Sequence, residues 1–140
     1  MMFNEILRVE SQMITIRNIE DVTSAIIRVS ELARRIGFNV IEKSSVMTAV
    51  SELSHNILKY ANHGRLTMAI VESRIGHGIE IVAEDHGPGI ADIQMAMRDH
   101  YSESGTLGLG LPGSKRLMDE FALWSEPGAG TRVTARKWKS

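Results

Sequence analysis

The 140-residue chain contains no cysteine. That absence excludes disulfides, thiolate metal centres and cysteine nucleophiles, and it suits a reducing compartment. Charge of one sign is missing too. Sixteen basic side chains against 17 acidic ones leave a net charge of −1, so no basic field recommends nucleic acid or an anionic membrane as partner. No unbroken apolar run approaches the ~20 residues that a membrane span requires. The opening "MMFNEILRVE" lacks the basic-then-apolar order of a secretory signal, and a cytoplasmic location is the expectation. Neither a repeat nor a linker nor a low-complexity segment divides the chain, whose length suits a single domain spanning 1–140. The five histidines (His55, His63, His77, His86 and His100) show no metal-ligand spacing.

What the chain does contain is a clear succession of periodicities. "EILRVE" and "MITIRN" alternate as half-buried strands do. Val22, Ile26, Val29, Ala33 and Ile36 recur at helical spacing and end at Gly37, a plausible C-cap. A second helix is predicted from about Glu42 to Ala61, followed by a hairpin, "GRLTMAIVESR" and "GIEIVAED", turning at "IGHG". Residues 86–108 read as loop with one short helical piece at "DIQMAMRD". A helix near "LPGSKRLMDEF" and two strands, "FALWSE" and "TRVTARKW", joined by "PGAG", complete the chain. This order predicts an α+β fold: a two-layer sandwich of a mostly antiparallel sheet with helices on one face.

Three places carry candidate chemistry. On the second helix, at 100° per residue from Glu52, Val46, Val50, Leu53, Ile57 and Tyr60 fall between roughly 80° and 160° and form a core stripe. Glu52, His55, Asn56 and Lys59 form a separate polar stripe, with Glu52 and Asn56 one turn apart. A carboxylate beside a carboxamide oxygen can hold or orient Mg²⁺, or position a nucleophile for proton abstraction. A solvated helix face has the same pattern. In "GIEIVAED", Asp85 shares a strand face with Ile79, Ile81 and Ala83, and so projects toward the buried layer, where an unpaired carboxylate is costly. Either a backbone N–H of the "HGPG" turn donates to it, or the exocyclic amine of a ligand such as adenine does. Finally, six of the 12 glycines (Gly87, Gly89, Gly105, Gly108, Gly110 and Gly113) cluster between residues 87 and 113. "GTLGLGL" entering a helix can cradle phosphate or serve only as a hinge. It is neither a P-loop nor a strand-borne dinucleotide fingerprint. Thr131 shares the inward strand face of Val133 and Ala135, its hydroxyl bonded either to backbone or to a ligand.

Together, "ELSHNILKYA", "DHGPG", "GTLGLGL" and the terminal "GT" resemble, in order, the four motifs of the GHKL ATPase/kinase superfamily. "VSELSHNI", "AEDHGPGI" and "GLPGSKRLMDEF" are more specifically similar to the small bacterial serine kinases of sigma-factor partner-switching systems. The likeness covers about residues 14–138, and residues 1–12 look like an added strand or arm. The resemblance implies the GHKL (Bergerat) ATP-binding fold with ATP and Mg²⁺ as cofactors. It implies Asn56 as Mg²⁺ ligand, Glu52 as general base, and Asp85 as acceptor for the adenine amine, supported by Thr131. Gly87 and Gly89 would shape the adenine pocket, Gly105, Gly108 and Gly110 would let a lid close on the phosphates, and Lys59 matches a basic position near them. Lys115 and Arg116 receive no role. The partners implied are a STAS-domain antagonist as substrate in a stress-response pathway and a PP2C-type phosphatase, with Asp119 and Glu120 as candidate acids at the docking face. A homodimer is left open. The alternatives are an anti-sigma factor kinase that binds a sigma factor directly, and a non-catalytic nucleotide-binding regulator of a phosphatase.

Overall fold

Local sequence explains where the two long helices begin. Asn18 precedes the first, and its side chain accepts from the Asp21 N–H at 2.9 Å, so α1 runs Ile19–Arg35. Asn39 opens the second with a reciprocal capping box: its Oδ1 accepts from Glu42 N–H at 2.8 Å while Glu42 Oε1 accepts from Asn39 N–H at 2.9 Å. That box starts α2 at Val40 rather than Glu42, and the helix continues to Ala61. The computed structural model describes residues 5–90, 97 and 110–140.

Five strands form a single sheet in the order β1-β2-β3-β5-β4, every neighbouring pair antiparallel. They are β1 (Leu7–Ile16), β2 (Gly64–Ser73), β3 (Gly76–Asp85), β4 (Glu120–Glu126) and β5 (Gly130–Trp138). The third helix among the described residues, α3, spans Gly110–Leu117, and the chain is in β4 by Glu120, so "DEF" is not helical. The β2–β3 turn lies at Arg74–Ile75, with Ser73 paired to Gly76, two residues earlier than the "IGHG" reading. The short helical piece expected at "DIQMAMRD" lies, apart from Met97, outside the described residues.

Inward side chains of four strands pack with α1 and α2 into one core. Ile14, Ile16, Leu66, Met68, Ile79, Ile81, Val133 and Ala135 meet Val22, Val29, Leu32, Val46, Val50, Leu53 and Ile57. Each of these Val, Leu, Ile and Met side chains contributes about 1.5–3 kcal/mol on burial. Tyr60, expected in this stripe, is 42% exposed: it lies in the last turn of α2, beyond the packed interface.

The two strands expected before α1 are one. A bulge between Arg8 and Glu10 joins them, so residues 7–12 are the first part of the edge strand, continuous with 13–16. The extra residue reverses the alternation and re-aims Arg8 to the outer sheet face. There Arg8 and Arg136 bond Glu80, a carboxylate only 2% exposed, at 2.7, 2.9 and 2.8 Å. Paired on both oxygens, the buried charge is satisfied, and removing a partner would be costly.

Candidate functional site

Strand β3 delivers Asp85 to the end of the sheet, directly beside the last turns of α2. Gly64 sits between them: a Cβ built there would lie 2.8 Å from Ile57 Cγ2 and 3.2 Å from Asp85 Cβ. Of the two donors considered for Asp85, the structure shows the local one. The Gly87 N–H donates to Asp85 Oδ1 at 2.9 Å, closing an Asx-type turn. The carboxylate has a second oxygen, and the group is half-buried rather than sealed, so the turn orients Asp85 without exhausting its capacity to accept.

Gly87 is required by close approach. A Cβ there would come within 2.7 Å of Ala61 Cβ and 3.1 Å of Asp85 Oδ1, wedging the turn away from α2. Gly89 has φ +79° and backs onto the Glu126 carbonyl, a placement that an L side chain would strain. The Gly128 N–H donates to the Pro88 carbonyl at 2.8 Å, tying the turn after β3 to the β4–β5 connection.

Thr131 is the register partner of Asp85 on one side and of Ser125 on the other. Three polar side chains therefore end three adjacent strands on the helix-facing side. Ser125 and the neighbouring Gly130 were not singled out from the sequence. The signal for Ser125 was present, since it alternates with the inward Phe121 and Leu123 of β4. Its Oγ accepts from the Ile90 N–H at 2.6 Å and lies 2.9 Å from both the Gly130 carbonyl and Thr131 Oγ1.

On α2, Glu52 and Asn56 are half-buried while His55 and Lys59 are exposed. The stripe thus divides in two. His55 Nδ1 sits 2.7 Å from the Ser51 carbonyl, and the Lys59 ammonium stands 5.2 Å from the centroid of the Tyr60 ring. Gly110 is the first residue of α3. Gly105 and Gly108 lie outside the described residues. Lys115 and Arg116 are exposed on α3. Asp119 and Glu120 do not form a free acidic face. Asp119 Oδ2 accepts from Trp138 N–H at 2.7 Å, and Glu120 accepts from Arg136 at 2.9 Å and from the Trp138 indole.

The residues present fit an adenine nucleotide. A carboxylate oriented by the Gly87 N–H stands beside the hydroxyl of its cross-strand partner Thr131, an acceptor pair suited to an exocyclic amine. Among the described residues, no group of three His, Cys, Asp or Glu side chains could hold a metal ion by itself. A Mg²⁺ here would take the Asn56 oxygen together with phosphate and water oxygens, the mixed octahedral set this ion favours.

Residues 42–139 match the family described as "Histidine kinase-, DNA gyrase B-, and HSP90-like ATPase". The chain belongs to this family, the GHKL ATPases and kinases, and its α+β sheet-and-helix architecture is theirs. Over 107 residues, covering 76% of this chain and 80% of the relative, it is 49% identical to the serine/threonine-protein kinase RsbT of Bacillus subtilis. An anti-sigma F factor of Thermoanaerobacter is 30% identical over 79% of this chain and 80% of its own length. Among solved structures, the RsbU and RsbW domains of Rv1364c from Mycobacterium tuberculosis superpose with a TM-score of 0.65 at 17% identity. They cover 94% of this chain, which spans only 33% of that one. A chain of the SiaB–SiaC complex from Pseudomonas aeruginosa is matched at TM-score 0.61 and 13% identity, covering 93% of this chain and 89% of that one. These last two similarities carry the fold. The extensive identity with RsbT carries the enzyme class, a protein serine/threonine kinase, and together with the anti-sigma F factors it places the chain among the kinases of partner-switching systems.

Proposed function

We propose that this kinase transfers the ATP γ-phosphoryl group to a serine or threonine of a STAS-domain antagonist protein, and that, once released, it binds and activates a PP2C-type phosphatase. The 49% identity with RsbT across most of both chains is the observation that carries this reading. In it, the free oxygen of Asp85 accepts from the adenine 6-amine, and the Gly87 and Gly89 turn forms the floor of the base pocket. Asn56 offers its carboxamide oxygen to Mg²⁺, which when bound neutralises phosphate charge. Glu52, one turn earlier on the same helix, takes the proton of the attacking hydroxyl. Lys59 stands one turn further on, where its ammonium reaches toward phosphate, and the Gly105, Gly108 and Gly110 segment closes over the nucleotide. Little covalent chemistry is required of the protein. Positioning and charge stabilisation supply most of the rate.

The reading is tested by incubating the protein with γ-labelled ATP and a purified STAS-domain protein. Label on serine or threonine is expected, with far slower labelling in Glu52→Gln. Label only on histidine would refute the kinase assignment. A Glu52→Gln protein that fails to transfer yet still activates the phosphatase would show the two roles to be separable. Direct binding of a sigma factor is the second reading, favoured by the 30% identity with an anti-sigma F factor. Co-purification with sigma in place of the STAS protein would select it.

A further inference from the structure

The hydroxyl of Ser125 occupies a position in which its proton can be assigned by elimination. Ser125 Oγ has one hydrogen and three neighbours. The Ile90 N–H at 2.6 Å can only donate to it. The Gly130 carbonyl at 2.9 Å can only accept, so two oxygens at that separation require the Ser125 proton between them. The third neighbour, Thr131 Oγ1, is also at 2.9 Å, and with the Ser125 proton already committed, Thr131 must donate. Its own hydrogen is then turned toward β4. What Thr131 presents away from Ser125 is lone pairs alone.

We propose that Ser125 is a specificity-determining residue that holds the Thr131 hydroxyl as an obligate acceptor, matching the site to a purine bearing an amine at position 6 and against one bearing an oxygen there. This rests on the adenine reading given above and deepens it. Thr131 pairs across the ladder with Asp85, whose carboxylate also only accepts. Two side-by-side groups thus lack a donor to offer a 6-oxo purine. A threonine hydroxyl alone would not discriminate, because an unconstrained rotor donates or accepts as the ligand demands. Ser125 removes that freedom. The Ile90 N–H, bound to the same oxygen, links this proton order to the turn that follows β3.

The test compares ATP with inosine triphosphate, which differs in replacing the 6-amine by an oxygen, with the accompanying change at N1. Wild type is expected to prefer ATP. In Ser125→Ala, Thr131 is free to turn its proton to the 6-oxygen, and the ATP-to-ITP affinity ratio should fall by about three- to tenfold, the worth of one hydrogen bond. Ser125→Thr, which keeps the hydroxyl, restores the ratio. In a Thr131→Val background, Ser125→Ala should no longer change it. Ser125→Cys keeps the volume but bonds weakly, and should lower the ratio in the same direction should the alanine variant fail to fold. A merely structural role would weaken both nucleotides by one factor, leaving the ratio unchanged, and that result overturns the proposal. Equal affinity of wild type for ATP and ITP overturns the adenine reading together with it. A wild-type preference undiminished by Ser125→Ala overturns this inference alone.

Discussion

Asp85 shows how much a single carboxylate can be asked to do at the end of a strand. One oxygen closes the turn through the Gly87 N–H, and the proposed function gives the other to the adenine amine. Asp85→Asn separates these functions, because a carboxamide oxygen can still accept from Gly87 while the outward atom becomes a donor. ATP affinity should fall by about 10- to 100-fold, the ~1.5–3 kcal/mol worth of a charged hydrogen bond, while the melting temperature changes little. Calorimetric titration beside a thermal melt checks both; unchanged ATP affinity would confine Asp85 to its turn. On α2, Asn56→Ala should weaken Mg²⁺–ATP binding, whereas Glu52→Gln should leave binding intact and slow single-turnover transfer. Wild-type transfer in Glu52→Gln would reduce Glu52 to a half-buried helix acid. The polar stripe itself was legible from helical spacing. That Glu52 and Asn56 are half-buried while His55 and Lys59 face solvent was not, since 100° steps give angles but not the position of the neighbouring elements.

At the scale of elements, the start of α2 is held by more than its own cap. Glu42 is buried, completes the capping box with Asn39, and accepts on its other oxygen from the Ser140 N–H at 2.7 Å. Burial alone would push its carboxyl up, but the Asn39 and Ser140 donors and the Lys137 charge outweigh that and hold it below the ordinary 4.5. A carboxyl lowered in the folded state stabilises above its unfolded value, and the stabilisation is lost as pH falls through the folded one. Wild type should therefore lose stability below about pH 4.5. Glu42→Gln should show a flatter dependence there and be less stable at pH 7 by about 0.5–2 kcal/mol, as for a lost cap. Urea unfolding at pH 7, 5 and 3.5 decides it, and parallel pH profiles would remove Glu42 from the account. The Asn39-to-Glu42 spacing was readable as a capping signature, but the tie to Ser140 joins residues 98 apart in sequence, and no local pattern encodes it. The β1 bulge is similar. Alternation predicts two strands, and only pairing against β2 shows one strand with an extra residue.

For the whole molecule, the prediction concerns exchange of partners. On the proposed function, phosphorylating a serine or threonine in the docking surface of the STAS-domain protein would add about −1.5 to −2 charges there. Its affinity for the kinase should fall about a hundredfold, equivalent to ~2.7 kcal/mol, after which the phosphatase regulator gains access. Titration with unmodified and stoichiometrically phosphorylated protein measures the change, and equal affinities would rule out the switch. Asp119 and Glu120, the candidate acids for that repulsion, are already bonded to Trp138 and Arg136.

The sequence by itself determined the alternation of the strands, both long helices, the inward stripe of Val46, Val50, Leu53 and Ile57, and the order of the four nucleotide motifs. Each of these rests on spacing within one element, where the period of a helix or strand translates directly into a face. Only the tertiary structure decided which donor serves Asp85, that Asp119 and Glu120 are occupied, that Arg8 crosses to Glu80, and that Ser125, Thr131 and Asp85 end three adjacent strands in one row. Those are relations between strands whose register is set by cross-strand pairing. A one-residue slip there reverses every side chain, so they cannot be read from any single segment.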